Sequence, residues 1–351
     1  MSRRLIVVVF TLAALAGSAR AQRPANVMPN HSFEEGMSGW QPSVNDPSHV
    51  GAAVTVDRTQ AKHGAQSLKI GLPAESRAAA TSPPAPVRGG QDYLLSFWYR
   101  CEGFSETGNY AGVNLQYVVN WLDAEKKPVG AGGMGLSYGA VPEWRFMTRM
   151  YLSPQEAAFV ALTFPMSVND KGRPSSFWLD DVQLRAWPGE PKPGAKTWVF
   201  RVADGTYQQD LFRRVADDDT ATGFAVLANP RFNDKPGYLA ANLYTRAIPP
   251  GQYRALYRLK IAEIPAEPQA LLAWDLNTDS VGFLNAGTIG TAAFKQAGAY
   301  QDFVVRFVLP PGVAWIDPRL TWNGGVATWI DTITVVEEKT FTQDDVDFLM
   351  E

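Results

Sequence analysis

The chain has 351 residues, with 32 Lys and Arg against 35 Asp and Glu and a formal net charge of −3. That balance argues against a nucleic-acid or anionic-membrane surface. The single cysteine, Cys101, rules out an intramolecular disulfide, and a chain of this length has enough core for two ordinary domains without one.

Residues 1–21 read as a signal peptide: Arg3-Arg4, an apolar run from Leu5 to Ala16, and a small-x-small site at Ala19-Arg20-Ala21. The run is short for a membrane span, and no later run is long enough, so the mature chain is expected to be exported (periplasm or cell surface) without a span. From residue 22 onward alternating strands dominate. Tyr93, Leu95, Phe97 and Tyr99 share one strand face, with Leu94, Ser96, Trp98 and Arg100 on the other. Cys101 ends that strand and is expected to be buried rather than reactive. Val113, Leu115, Tyr117, Val119 and Trp121 alternate with Asn114, Gln116, Val118 and Asn120, and Val160, Leu162 and Phe164 continue the pattern. Strands of this length between Gly, Pro and Asn turns predict a β-sandwich. A Pro- and Gly-rich stretch, 187–196, reads as a stiff linker. A second set of strands follows over 197–337: Tyr253 to Ile261, Leu271 to Leu276, Phe303 to Leu309 and Thr328 to Val336. Residues 338–351 form an acidic tail, either disordered or a short helix over Gln343 to Met350.

Two echoes tie the halves together. Gly90-Gln91-Asp92-Tyr93 and Trp178-Leu179-Asp180 bracket the first, and Gly251-Gln252-Tyr253 and Trp329-Ile330-Asp331 the second. A spacing of about 80–90 residues exceeds the roughly 20–50 of solenoid repeats, so each pair marks one complete β domain. The predicted fold class is all-β, two tandem antiparallel sandwiches over 22–186 and 197–337.

The motifs of the first half are specific in combination. Asn30-His31-Ser32-Phe33-Glu34-Glu35-Gly36 with Gly39-Trp40, then His63-Gly64-Ala65-Gln66-Ser67-Leu68-Lys69-Ile70, then Tyr93 to Arg100 and Phe177 to Leu184, stand in order. Together they resemble carbohydrate-binding modules of the family 4/9/22 type, galactose-binding-like jelly rolls, over about residues 26–186. His31 stands where that family usually has proline. The second half resembles a more divergent galactose-binding-like domain and lacks the opening motif. The resemblance implies a structural calcium held by Glu34 or Glu35, by Asp180 or Asp181, and by carbonyls of 63–67, since calcium takes hard oxygen ligands. The competing reading makes Glu34 and Glu35 solvated turn charges and pairs the aspartates with arginines.

A sugar surface needs flat rings and amide or guanidinium groups, and Trp98, Arg100, Asn114, Gln116 and Asn120 supply them on strand faces opposite the core. An exposed sheet face is polar anyway, so each residue alone also fits a solvated surface. Trp40, Tyr110, Tyr138 and Trp144 extend such a cleft or plug the core. In the second half, Arg258 and Lys260 with Asp317, Arg319 and Thr321 make a charged face, read as a salt-bridged surface or as a site for an acidic sugar.

Catalytic patterns fail on context. Gly135-Leu136-Ser137-Tyr138-Gly139 is followed by Pro142 rather than a helix, and His31, His49 and His63 all precede the serine. Gly130 to Gly135 fits a dinucleotide fingerprint without its helix and reads as a glycine loop. Neighbouring acidic pairs point to opposite strand faces, unlike a glycosidase pair. The expected function is an exported, non-catalytic polysaccharide-binding protein, with a glycan-binding first module and an auxiliary second. The alternatives are a structural or adhesive cell-envelope protein and a polysaccharide-active enzyme.

Overall fold

The computed structural model describes residues 24–45, 51–104, 112–136, 141–169, 173–187, 196–204, 207–233, 235–246, 248–279 and 283–350. The expected signal peptide, Tyr110, Ser137, Tyr138 and most of the expected 187–196 linker lie outside them.

The first half contributes β1 (Gln41–Val44), β2 (Ala53–Asp57), β3 (Ser67–Leu72), β4 (Ser76–Thr81), β5 (Ala85–Pro86) and β6 (Asp92–Glu102). These are followed by β7 (Val113–Leu122), β8 (Pro128–Gly135), β9 (Val141–Leu152), β10 (Phe159–Val168) and β11 (Ser175–Ala186). They form two antiparallel sheets, β1-β4-β10-β7-β8 with β5 on β10, and β2-β3-β11-β6-β9. Tyr93, Leu95, Phe97 and Tyr99 of one sheet meet Leu115, Tyr117, Val119, Val160, Leu162 and Phe164 of the other in a single core. Cys101 is buried there, and desolvation pushes its thiol far above the ordinary range.

The second half contributes β12 (Thr197–Arg201), β13 (Arg213–Ala216), β14 (Phe224–Ala228), β15 (Gly237–Ala240), β16 (Thr245–Arg246) and β17 (Gly251–Ile261). Then come β18 (Ala270–Thr278), β19 (Phe283–Gly290), β20 (Gln301–Leu309), β21 (Trp315–Trp322) and β22 (Thr328–Thr340). The sheets are β13-β14-β22-β17-β20, with β12 on β22, and β15-β21-β18-β19, with β16 on β21. Tyr253, Tyr257, Leu259, Phe307 and Ile333 fill a second, separate core. Both halves are therefore antiparallel sandwiches, as the alternation predicts.

Two elements differ from the sequence expectation, and the alternatives left for the last residues are resolved. The glycine run is not a loop but strand β8, paired along β7. A Cβ on Gly132 would stand 2.8 Å from the Tyr151 ring, and one on Gly130 2.9 Å from Pro154, so the glycines permit close cover of the strand. Strand β22 runs on to Thr340, which places Glu338 in the interior rather than in a tail. The last residues form helix α1 (Gln343–Met350). Its start is a reciprocal cap: Asp345 N–H donates to Thr342 Oγ1 at 3.2 Å, and Thr342 N–H to Asp345 Oδ2 at 3.0 Å.

The two sandwiches pack against each other. Strands β19 and β20 lie on β9. Trp98, Phe146, Met150 and Trp187 join Val308 and Leu349 in an apolar cluster at the junction. Some polar groups there are paired, although Trp98 Nε1, Trp187 Nε1 and Glu338 Oε2 are buried without a hydrogen-bond partner among the described residues: Arg306 pairs with Asp92 and, at 3.4 Å, with Glu338. Arg149 Nε donates to Leu284 O at 3.3 Å, and Asn285 Nδ2 to Met150 O at 3.2 Å. This cover explains burial on both faces of β6 and β9, whereas β7 alternates buried and open positions along its whole length.

Candidate functional site

The five expected sugar contacts do not share a surface. Trp98 and Arg100 stand on β6, and Asn114, Gln116 and Asn120 on β7, in the facing sheet. Both sets point away from the core between them. Stacked sheets lie about 10 Å apart, so outward side chains on one cannot meet those on the other. Alternation along a strand reports inside or outside; it does not report which sheet.

Trp98 is not an exposed platform. It is 7% exposed, its ring 5.2 Å from Phe146, with Lys62 Nζ 4.0 Å over it. Arg100 is committed too. It donates to Gln60 Oε1 at 2.5 Å, pairs with Glu102, and covers the Trp178 ring at 5.0 Å. Trp40 is core, and Trp144 is partly buried beside the junction cluster.

The open face is that of β1-β4-β10-β7-β8. A cleft of about 350 Å³ runs across it. Its polar lining is Ser43, Asn45, Arg77, Asn114, Gln116 and Ser167, over the small surfaces of Ala79 and Pro165. The register aligns these groups: Arg77 is opposite Ser167, Ser167 opposite Asn114, and Asn45 N–H donates to Arg77 O at 3.2 Å. Ser43 is opposite Ala79, and Ala79 opposite Pro165, in the adjacent row. Asn120 lies on this face outside the cleft lining and donates to Thr163 Oγ1 at 3.2 Å. Sequence reasoning missed Ser43, Asn45, Arg77 and Ser167. The usable signal was Arg77 and Thr81 alternating with buried Ser76, Ala78 and Ala80, weakened because alanine occupies both faces of β4.

The opening motif builds a different corner. Phe33 is fully buried, and Asn30 Nδ2 donates to Gly36 O at 3.0 Å and Ser38 O at 3.1 Å. Glu34 Oε1 accepts the N–H groups of Ala65 at 3.0 Å and Gln66 at 3.2 Å. Gly64 has φ +65°, which favours glycine, and a Cβ there would lie 2.3 Å from Glu34 Oε1, so a larger residue would push that carboxylate off its amide donors. Asp180 Oδ2 accepts N–H from Lys62 at 2.7 Å and His63 at 2.9 Å, and its Oδ1 accepts from Asp181 at 2.8 Å. Burial pushes Asp180 up to about 6, against the pull of those three amides. Asp181, in a β-bulge at φ 48°, meets His31 Nδ1 at 3.0 Å, His63 Nδ1 at 3.5 Å and Gln183 Nε2 at 2.7 Å.

Glu34 and Asp180 thus meet the same turn, as the resemblance implies, but the turn offers them N–H donors where calcium needs carbonyl oxygens. Glu35 is exposed, with its own N–H donated to Asn30 Oδ1 at 3.2 Å. Among the described residues no three His, Cys, Asp or Glu side chains group as metal ligands. The residues present do not fit a calcium site.

In the second half, Lys260 pairs with Asp217, and Arg258 with Asp331 at 3.2 Å, on the sheet holding β17. Asp317 and Arg319 lie on the other sheet, so the expected single charged face is divided. There Arg319 Nε donates to Asp275 Oδ1 at 2.7 Å, and Asp317 accepts Leu243 N–H at 2.8 Å. Among the described residues no helix is long and apolar enough to cross a membrane.

No family model matches the chain, and no curated protein matches it. Among solved structures it is similar to the enzymatically active domain of tailspike protein 4 of bacteriophage CBA120, with TM-score 0.36 and 18% identity, covering 46% of this chain and 21% of that one. It therefore spans about a fifth of the tailspike chain. It is also similar to the tandem family 22 carbohydrate-binding modules of Paenibacillus barcinonensis Xyn10C, with TM-score 0.32 and 14% identity, covering 92% of this chain and 100% of that one. A family 61 carbohydrate-binding module in complex with β-1,4-galactotriose gives TM-score 0.33 and 18% identity over 46% of this chain and 99% of its own. The sandwich assignment rests on the sheets described above.

Proposed function

We propose that the chain is an exported carbohydrate-binding protein without chemistry of its own, and that it takes glycan on the open face of β1-β4-β10-β7-β8. The observation that carries this reading is the cleft over Ala79 and Pro165, where amides and hydroxyls from β1, β7 and β10 and the residue after β1, with the Arg77 guanidinium of β4, line a floor of small side chains. Such groups replace the water around sugar hydroxyls, and a low floor admits a ring. The lining carries no carboxylate, which favours binding over glycoside hydrolysis, a reaction that needs two. The second sandwich acts as a buttress fixed to the opposite face, rather than as a separate binder on a tether.

With no stacking ring in the lining, affinity should be weak, with a dissociation constant of about 0.1 mM or above. The test is a glycan array followed by titration of the full chain and of an Asn114→Ala/Gln116→Ala variant. The variant should lose most binding with an unchanged melting temperature, because both side chains point outward. Equal binding by the variant, or release of reducing sugar from a bound polysaccharide, would defeat the reading.

A further inference from the structure

We propose that this cleft selects an acidic saccharide and that Arg77 is the selecting residue, holding the carboxylate of a uronic acid. The inference rests on the cleft being the glycan site. Arg77 is the one charged side chain in the lining. It is exposed, and among the described residues its side chain has no ion pair or hydrogen bond. That sets it apart from Arg100, Arg258, Arg306 and Arg319, each tied to a carboxylate. The nearest carboxylate along the chain, Glu75, sits in the turn before β4 and is not part of the lining.

Position gives the guanidinium its use. It stands at one end of the row that continues through Ser167 to Asn114, beside the lower row of Ser43, Ala79 and Pro165. A sugar ring resting on Ala79 and Pro165 would bring a ring substituent to Arg77, with its hydroxyls toward Ser43 and Gln116. A guanidinium presents two parallel N–H groups that match the two oxygens of a carboxylate, a geometry lysine lacks. A neutral chain would leave this fork facing water, with no gain from the charge.

The experiment titrates the full chain with oligogalacturonate, oligoglucuronate and oligomannuronate, each paired with its methyl ester, which keeps the backbone and removes the charge. At least one acid should bind tenfold or more tightly than its ester, about 1.4 kcal/mol. Arg77→Gln should abolish that ratio by bringing acid affinity down to that of the ester, and Arg77→Lys should restore little of it. Unchanged melting of both variants confirms that they fold. Equal binding of acid and ester, a preference that survives Arg77→Gln, or a stronger preference for sulfated over uronic chains overturns the proposal while leaving glycan binding standing. If no saccharide of either kind binds, the assignment of the cleft itself falls, and this inference with it.

Discussion

Replacing Trp98 by alanine should destabilise the first sandwich and loosen its junction with the second, while sparing ligand binding. The side chain is 7% exposed and packs with Phe146 and Met150 from its own sheet, and with Val308 and Leu349 from the other half. A buried tryptophan covers about 150–250 Å², which at about 25 cal/mol per Å² corresponds to about 4–6 kcal/mol. Truncation of large aromatics in cores costs about 3–5 kcal/mol. The lower end applies, because a cleft of about 530 Å³ lined by Trp98, Trp144, Pro310 and Pro311 adjoins the ring and lets water and neighbours relax into the space. At about 2–4 °C per kcal/mol for a domain of this size, a loss of about 3 kcal/mol lowers the melting temperature by about 6–12 °C. Calorimetry measures this directly, and proteolysis between residues 187 and 196 reports whether the halves separate more often. Glycan affinity should persist below the new midpoint. A variant that melts with the wild type yet loses polysaccharide binding would refute the buried position of Trp98.

Other outcomes follow from the same geometry. Chelation of divalent cations should leave the melting temperature unchanged, since Glu34 and Asp180 are satisfied by backbone N–H groups; a shift of several degrees, restored by calcium, would contradict this. Asp180 is raised by burial to about 6, so its contribution to stability is present below the unfolded value near 3.8 and is lost as pH rises through about 6. Asp180→Asn should therefore flatten that segment of the stability–pH curve, and an unaltered slope between pH 4 and 6 would count against the assignment. Arg306→Ala removes one partner from the buried group with Asp92 and Glu338; since Arg306 is itself part-exposed, a cost of about 1–3 kcal/mol is expected, below the value for a fully buried pair. Denaturant melts followed separately for each half should show them uncoupling, and two transitions that stay coincident would argue that the apolar cluster alone holds the junction.

What the sequence could convey was set by how many faces of each strand are covered. Strand β7 has one face in the core and one open, so its alternation gives the correct inward set and places Asn114, Gln116 and Asn120 outside. Strand β6 is covered on both sides, and its outward Leu94, Ser96 and Trp98 then resemble a mixed platform when they are a docking face. The clue was present in the near-continuous apolar run from Tyr93 to Tyr99, which suits a strand buried twice. The glycines of β8 read as a turn because their reason, the rings and prolines lying across them, comes from β9 and the residues after it. The opening motif was legible as a motif, but its chemistry was not: whether a turn offers carbonyls or N–H groups to Glu34 depends on backbone direction, which residue identity does not carry.

The junction also decides where ligand can be met. A sandwich of this kind has two outer sheet faces, and the face of β2-β3-β11-β6-β9 is partly spent on contact with β19, β20 and α1. Arginines there are already engaged: Arg149 is 2% exposed with its Nε on a carbonyl of the other half, and Arg100 is tied to Gln60 and Glu102 of its own half. Groups already paired to protein gain little by exchanging that partner for a sugar hydroxyl, since the net worth of one hydrogen bond is only about 0.5–1.5 kcal/mol. On the opposite face Arg77 has no such partner among the described residues, and Asn114 is exposed beside it in the same cleft. Binding there costs the protein fewer internal contacts. Under the proposed function the two faces of one module do different work: the covered sheet fixes its orientation on the second sandwich, and the open sheet would meet the glycan.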